Sequence, residues 1–332
     1  MATIVPYTFE RKVEKVTYFT SLVSGMKILI ATEKPFAKAA VDGIKEILES
    51  SDYEVVLLEK YTERAQLLEA VRDVDAMIVR SDKVLADVMD AAPNLKIVVR
   101  AGAGYDNVDC EEARRRGIVV MNTPGQNANA VAELAIGLMI YVSRNQFTPG
   151  TGGEISGKRL GIHAYGNVGR LVGRKARALG MEVIAYDPFI KDKSIFEADG
   201  VGVVDSVEEL YAHADFLSLH IPAVEQTIKS IGYDLVMSMP KGAVLVNTAR
   251  KEVIDEEGLQ RAMRERADLR YVSDVAPALA TEFAEEFGKR YFATPKKMGA
   301  ETAEANINAG LAAARQIVAY FKEGDVRFQV NK

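Results

Sequence analysis

From Lys27 onward the chain repeats one pattern: a short aliphatic run, a stretch with helical spacing, then another aliphatic run. "KILIA" (27–31) precedes an amphipathic stretch over 37–49, and "YEVVLL", "DAMIVR" and "LKIVVR" follow with helical segments such as 84–92 between them. Strands that alternate with helices pair in parallel through right-handed crossovers. A glycine-rich break, "TPGTGGEISGK" (148–158), interrupts the pattern and reads as a hinge or linker. The alternation restarts with "KRLGIHA", a helix over 167–179 and "MEVIAYD", then "DFLSLHI", "GAVLVNT" and "LRYVSDV". A final helical run over about 301–322 is long enough to return to the first half.

Composition narrows the function classes. With 332 residues, 48% apolar and 27% charged, the chain has the size and make-up of a two-domain soluble protein. A net charge of −5 gives no electrostatic footprint for nucleic acid or an anionic membrane. The single cysteine, Cys110, excludes an internal disulfide framework, and no Cys/His cluster suggests a metal; a reducing cytoplasm fits. The most apolar helical run, "AVAELAIGLMIYV" (130–142), falls short of a membrane span and carries Glu133, so it reads as a buried helix. Residues 1–25 lack a signal peptide's apolar core and read as a loosely ordered N-terminal extension.

The most informative segment is "LGIHAYGNVGRLVGRKARALGMEVIAYDPF" (160–189): strand, glycine turn, helix, and a second strand ending at Asp187. Gly166 lets the backbone approach a pyrophosphate, Gly169 lets the helix pack on the sheet, and the helix N-terminus receives the phosphate charge. Asp187 stands where a carboxylate binds a ribose 2′-hydroxyl and repels a 2′-phosphate, which favours NAD over NADP. Ala164 replaces the first glycine of the fingerprint, leaving the tightness of that turn open. The fold class expected is α/β: two doubly wound parallel-sheet, Rossmann-like domains with a cleft between them.

At this point the chain resembles the D-isomer-specific 2-hydroxyacid dehydrogenases. "VRSDK" (79–83), "VVRAGAGYDNVD" (98–109), "MNTPGQNANAVAEL" (121–134), "GIHAYGNVGR" (161–170), "SLHIP" (218–222), "LVNTARKEVIDE" (245–256) and "TPKKMGAETAEAN" (294–306) run in family order. The resemblance implies a substrate domain at 26–124 plus 305–332, an NAD domain at 125–304, and a homodimer. Cofactor contacts implied are Gly166, Asn167, Val168 and Gly169 at the pyrophosphate, Asp187 at the ribose, and Ile221 and Pro222 at the adenine. Thr248, Ala249, Asp274 and Gly299 are implied near the nicotinamide.

The family moves a hydride between substrate C2 and the nicotinamide, and a guanidinium holds the substrate carboxylate and polarises the C2 oxygen. Arg250 in "NTAR" falls on that position. The family's proton carrier is a histidine, yet no histidine follows Arg250 here. Lys297 takes its place, or Lys296 if the count starts from the proline. The place of the partner glutamate holds Leu279, with Asp274 and Glu282 the acids nearby. The two changes agree physically, because a lysine near 10.4 must be brought down, whereas a carboxylate would hold it up. Partial burial, the Arg250 charge and a helix N-terminus are the expected causes.

The implied substrate is a small anion with two negative ends. Arg80 and Arg100 are candidates for a phosphate, Lys83 a weaker one, and the turn Ala101–Gly102–Ala103–Gly104 offers backbone N–H groups to a carboxylate. His163 and His220 read as structural. The leading expectation is NAD-dependent oxidation of 3-phospho-D-glycerate. Reduction of unphosphorylated keto acids such as glyoxylate or hydroxypyruvate, and non-catalytic NAD sensing, stay open.

Overall fold

The computed structural model describes residues 25–332, so the extension read at 1–25 lies almost wholly outside the described residues. The chain divides into two compact units, one of residues 25–126 with 306–332 and the other of residues 127–305.

The first unit is built on a five-stranded parallel sheet in the order β2-β1-β3-β4-β5. Its strands are β1 Lys27–Thr32, β2 Glu54–Glu59, β3 Ala76–Val79, β4 Ile97–Arg100 and β5 Val119–Asn122. Successive side chains on a strand point to opposite faces, and both faces are covered. Ile28, Ile30 and Ile78 meet Ile44 and Leu48 of the helix Lys38–Glu49 and Ile317 of the C-terminal helix Ala303–Glu323. Leu29, Ala31 and Met77 meet Leu67, Val88 and Ala113 of three short helices on the other side. Two covered faces explain why the inner positions of β1, β3 and β4 are apolar in succession rather than alternately. The order reverses beside β1, so β1 and β3 flank a switch point, where ligands of such sheets bind beyond the strand C-termini.

The second unit holds a seven-stranded parallel sheet in the order β12-β11-β10-β9-β6-β7-β8. Here β6 is Arg159–His163, β7 Glu182–Tyr186, β8 Gly202–Val203, β9 Phe216–Leu219, β10 Val244–Asn247, β11 Arg270–Ser273 and β12 Tyr291–Ala293. Its switch point lies between β6 and β9. The helix Ala128–Ser143 is apolar nearly all round and is buried accordingly, its Ala135, Met139 and Val142 packing with Leu160, Ile162 and Val172.

The glycine-rich stretch 148–158 does not act as a linker: it lies inside the second unit. A Cβ on Gly152 would come within 2.8 Å of the Ser143 carbonyl oxygen, and Gly153 donates its N–H to that same oxygen at 2.7 Å. The glycines allow the chain to fold back on the helix end. Among the described residues no helix is long and apolar enough to cross a membrane, and no cluster of His, Cys, Asp and Glu could hold a metal.

Candidate active site

In the nucleotide turn, Ala164 follows β6 with φ of +76°, the left-handed conformation that the missing glycine would adopt without strain. The turn is therefore as tight as the glycine version, at a local cost of about 1 kcal/mol. Gly169 is fixed by contact, since a Cβ there would lie 2.3 Å from the Ala164 carbonyl oxygen. Gly166 stands beside open space: nothing lies within 4 Å of where its Cβ would be. Gly166 also precedes the first residue of the helix Asn167–Ala178, whose opening N–H groups have no helical acceptor. An open glycine cradle beneath unsatisfied N–H groups fits a pyrophosphate. Asp187 follows β7, and its carboxylate accepts the Tyr165 N–H at 2.8 Å and the Phe189 N–H at 3.0 Å, which ties the acid to the turn. Ile221 is buried in the apolar core, so of the two residues expected beside an adenine only Pro222 presents surface.

The two structural histidines lie at the ends of β6 and β9. His163 Nδ1 sits 3.5 Å from the Tyr211 hydroxyl, and His220 Nε2 sits 2.9 Å from Ser218 Oγ. Burial lowers His163 to about 4, with the Asp187 charge opposing the shift. Burial, then the neighbouring His163, lowers His220 to about 3. Both are neutral at pH 7 and neither is a ready proton donor there.

Beyond β10, Asn247 shapes the turn that carries Arg250. Its Nδ2 donates to the Arg250 carbonyl at 2.9 Å and its Oδ1 accepts the Ala249 N–H at 3.0 Å. Arg250 is exposed, with Nη1 donating to the Ala249 carbonyl at 3.0 Å. Thr248 Oγ1 is buried without a hydrogen-bond partner among the described residues, an orphan polar atom that a ligand amide or hydroxyl would satisfy.

Asp274, just after β11, is 1% exposed and anchors the loop 294–299. One carboxylate oxygen accepts the Met298 N–H at 2.8 Å and the Thr294 hydroxyl at 3.1 Å; the other accepts the Gly299 N–H at 2.8 Å. A Cβ on Gly299 would press to 2.8 Å from that second oxygen, which explains the glycine. Lys296 and Lys297 ride on this anchored loop, but the expected partial burial is not found, because both are exposed. Nor are they at a helix N-terminus: the helix begins at Ala303, and its dipole acts only over the first turn. Glu256 accepts the N–H groups of Ala278 and Leu279, each at 2.9 Å, and so holds the segment that leads into the helix Ala280–Phe287.

In the first unit the candidates follow the C-termini of β3 and β4. Arg80 donates Nη1 to the carbonyls of Lys34 and Pro35 at 3.2 and 3.1 Å and Nη2 to Asn306 Oδ1 at 2.6 Å, and it lies over the Phe36 ring. Buried Asp82 links the two loops of this switch point, accepting the Arg80 N–H at 3.2 Å, the Glu33 N–H at 2.7 Å and the Tyr61 hydroxyl at 2.8 Å. Arg100 donates Nε to the Arg80 carbonyl at 2.9 Å. Its Nη1 occupies the space 1.6 Å from where a Gly102 Cβ would be, and Gly102 has φ of +152°, so glycine is required twice over. Of the turn expected to offer N–H groups, those of Ala101 and Gly102 are taken by the carbonyls of Val79 and Arg100. Ala103 and Gly104 remain the candidates. Asp82, Asn247 and Asn306 were given no role from sequence; each stands inside or beside a motif, but its function rests on contacts too distant or too particular to read there.

The model of the D-isomer specific 2-hydroxyacid dehydrogenase catalytic domain matches residues 31–331. The chain belongs to this family. Among solved structures, the NAD+-bound 3-phosphoglycerate dehydrogenase of Entamoeba histolytica is 51% identical, covers 93% of this chain and 99% of its own, and superposes with a TM-score of 0.81. D-3-phosphoglycerate dehydrogenase of Methanocaldococcus jannaschii is 38% identical over 276 residues, 76% of this chain but 51% of its own length. This member of the family thus spans about half the length of that relative. A hydroxypyruvate reductase of Thermotoga maritima is 40% identical over 220 residues, 62% of this chain and 70% of its own.

Proposed function

We propose that the protein oxidises 3-phospho-D-glycerate to 3-phosphohydroxypyruvate with NAD, the unit 127–305 binding the nucleotide and the unit 25–126 with 306–332 binding the substrate. The observation that carries this reading is the 51% identity, over nearly the whole of both chains, to the NAD+-bound enzyme of Entamoeba histolytica. Bound NAD supplies the acceptor for the hydride that leaves C2. Arg250 holds the carboxylate and the C2 oxygen through a charged fork of donors. The C2 hydroxyl proton passes to the neutral amine of Lys297, with Lys296 the other register, and the C2–O bond becomes a carbonyl. Arg80 and Arg100 hold the phosphate, and Asp187 selects the unphosphorylated ribose.

The test is turnover of 3-phospho-D-glycerate against D-glycerate, and of phosphohydroxypyruvate against hydroxypyruvate in reverse. A preference of at least roughly 100-fold for the phosphorylated partner is expected, since two charge-assisted contacts are at stake. Equal efficiency would refute the phosphate assignment and favour a hydroxypyruvate reductase, the activity named for the Thermotoga maritima relative.

We further propose a cytoplasmic homodimer formed through the second unit. Phe147 is 71% exposed at the end of three successive left-handed residues, Asn145, Gln146 and Phe147, a strained turn pinned by Gln146 Nε2 to the Tyr291 carbonyl at 3.0 Å. Strain that holds an aromatic ring in water supports a contact surface there. Light scattering should give twice the chain mass for the wild type and a smaller mass for Phe147→Ser; a wild-type monomer would contradict this.

A further inference from the structure

A second charged centre lies on the exposed face of the helix Asn167–Ala178. Asp199, buried at the end of the helix Ser194–Ala198, accepts the Tyr165 hydroxyl at 3.0 Å, Arg170 Nε at 3.1 Å and Arg174 Nε at 2.7 Å. Its backbone carbonyl accepts Arg177 Nη1 at 2.7 Å. Room for Arg177 comes from Gly200, where a Cβ would lie 2.0 Å from that same nitrogen. Two guanidinium groups thus hold the carboxylate and a third its backbone carbonyl, which leaves cations in excess of anions at this centre.

The other charges nearby offset that excess only in part. Lys175 pairs with Glu133 and Lys193 with Asp205. Glu197 is an exposed acid on the neighbouring helix, and it is absent from the lining of the recess beside these arginines. That recess has a volume of about 590 Å³ and is lined by Arg174, Arg177, Ala178, Ala198 and Asp199. Arg174 directs its inner Nε edge at Asp199, so its orientation is fixed in advance and little side-chain entropy is lost when a ligand meets the outer edge. Arg177 lies eleven positions beyond Gly166, roughly 16 Å along the helix at about 1.5 Å per residue, too far to share the nucleotide pyrophosphate.

We infer that this recess binds a phosphate dianion, free or as a monoester. The net positive charge favours an anion, and guanidinium forks match the geometry of phosphate oxygens. The inference is independent of which 2-hydroxy acid the enzyme oxidises.

Calorimetric titration of the full chain with inorganic phosphate, in saturating NADH so that the nucleotide cradle is filled, tests it. Two sites per chain are expected, one removed by Arg80→Gln and the other by Ala178→Glu. The second substitution adds a carboxylate to the recess at an exposed helical position while leaving every hydrogen bond of Asp199 in place. It should weaken the site by roughly ten- to hundred-fold. The double variant Arg174→Gln/Arg177→Gln should do the same, with NADH fluorescence on binding as the check that the unit is folded. A parallel titration with glycerol 3-phosphate separates the sources: tighter binding than inorganic phosphate assigns a monoester, equal or weaker binding assigns free phosphate. One site that is lost in Ala178→Glu and unaffected by Arg80→Gln would support the recess and count against the phosphate role of Arg80. Phosphate binding indifferent to Ala178→Glu, at any stoichiometry, overturns the inference.

Discussion

Replacing Asp274 by asparagine changes one oxygen to an NH2 and removes the charge, without altering size. In the structure each Asp274 oxygen accepts a loop N–H at 2.8 Å, from Met298 and from Gly299. An amide can accept only one of these and turns a donor toward the other. The loss is one charge-assisted hydrogen bond, about 1.5–3 kcal/mol, plus a buried N–H left unpaired, about 1–3 kcal/mol. Roughly 2.5–6 kcal/mol of loop anchoring disappears, acting on the segment that carries Lys296 and Lys297. Because the loop is local, the larger effect should fall on turnover and the smaller on the melting temperature. Steady-state kinetics with saturating NAD and 3-phosphoglycerate should show kcat reduced at least about 100-fold, which corresponds to roughly 2.7 kcal/mol. A kcat within about threefold of wild type would refute the reasoning, since it would mean that the anchored position of the loop does not matter to the reaction.

Other substitutions probe the remaining parts of the account. Gly169→Ala places a Cβ 2.3 Å from the Ala164 carbonyl oxygen and should abolish NADH binding measured by fluorescence. Ala164→Gly relieves the left-handed strain at that turn, and a gain of up to about 1 kcal/mol in urea unfolding is expected after the added chain entropy of glycine is subtracted. Gly102→Ala displaces the Arg100 guanidinium, so KM for 3-phosphoglycerate should rise roughly ten- to hundred-fold while kcat changes little. Acid should destabilise the second unit through His163, which burial lowers to about 4 in the folded chain from the ordinary 6.5. Between these values the unfolded chain binds the extra proton, so the stability present above pH 6.5 declines as pH falls toward 4, by about 3 kcal/mol. Urea midpoints across that range should fall in the wild type and fall less in His163→Gln.

The α/β class was legible because strands buried on both faces read as aliphatic runs, and β1, β3, β4 and β10 all have that character. The edge strands β8 and β12 have two and three residues, too few for any periodicity to register. The nucleotide turn was legible because its chemistry is local: Gly166, Gly169 and Asp187 serve a single strand–turn–helix unit. The stretch 148–158 was misread because glycine chosen for a close backbone approach looks the same in sequence as glycine chosen for flexibility. The surroundings of the lysines were misread for a related reason. Exposure and the true start of the last helix depend on packing, and a pattern beginning near 301 gives way at Ala303. What holds the loop in place, Asp274 reaching Met298 and Gly299 across more than twenty residues, leaves no mark in local sequence.

The lysine assignment is tested by the pH dependence of kcat/KM for 3-phosphoglycerate oxidation in the wild type, Lys296→Ala and Lys297→Ala. A general base must be unprotonated to act, so the wild-type rate should climb with pH along a limb set by an amine. Lys297→Ala should lose that limb together with at least about 100-fold in rate, and Lys296→Ala should keep both. If both variants retain the limb and turn over like the wild type, no lysine of this loop carries the proton.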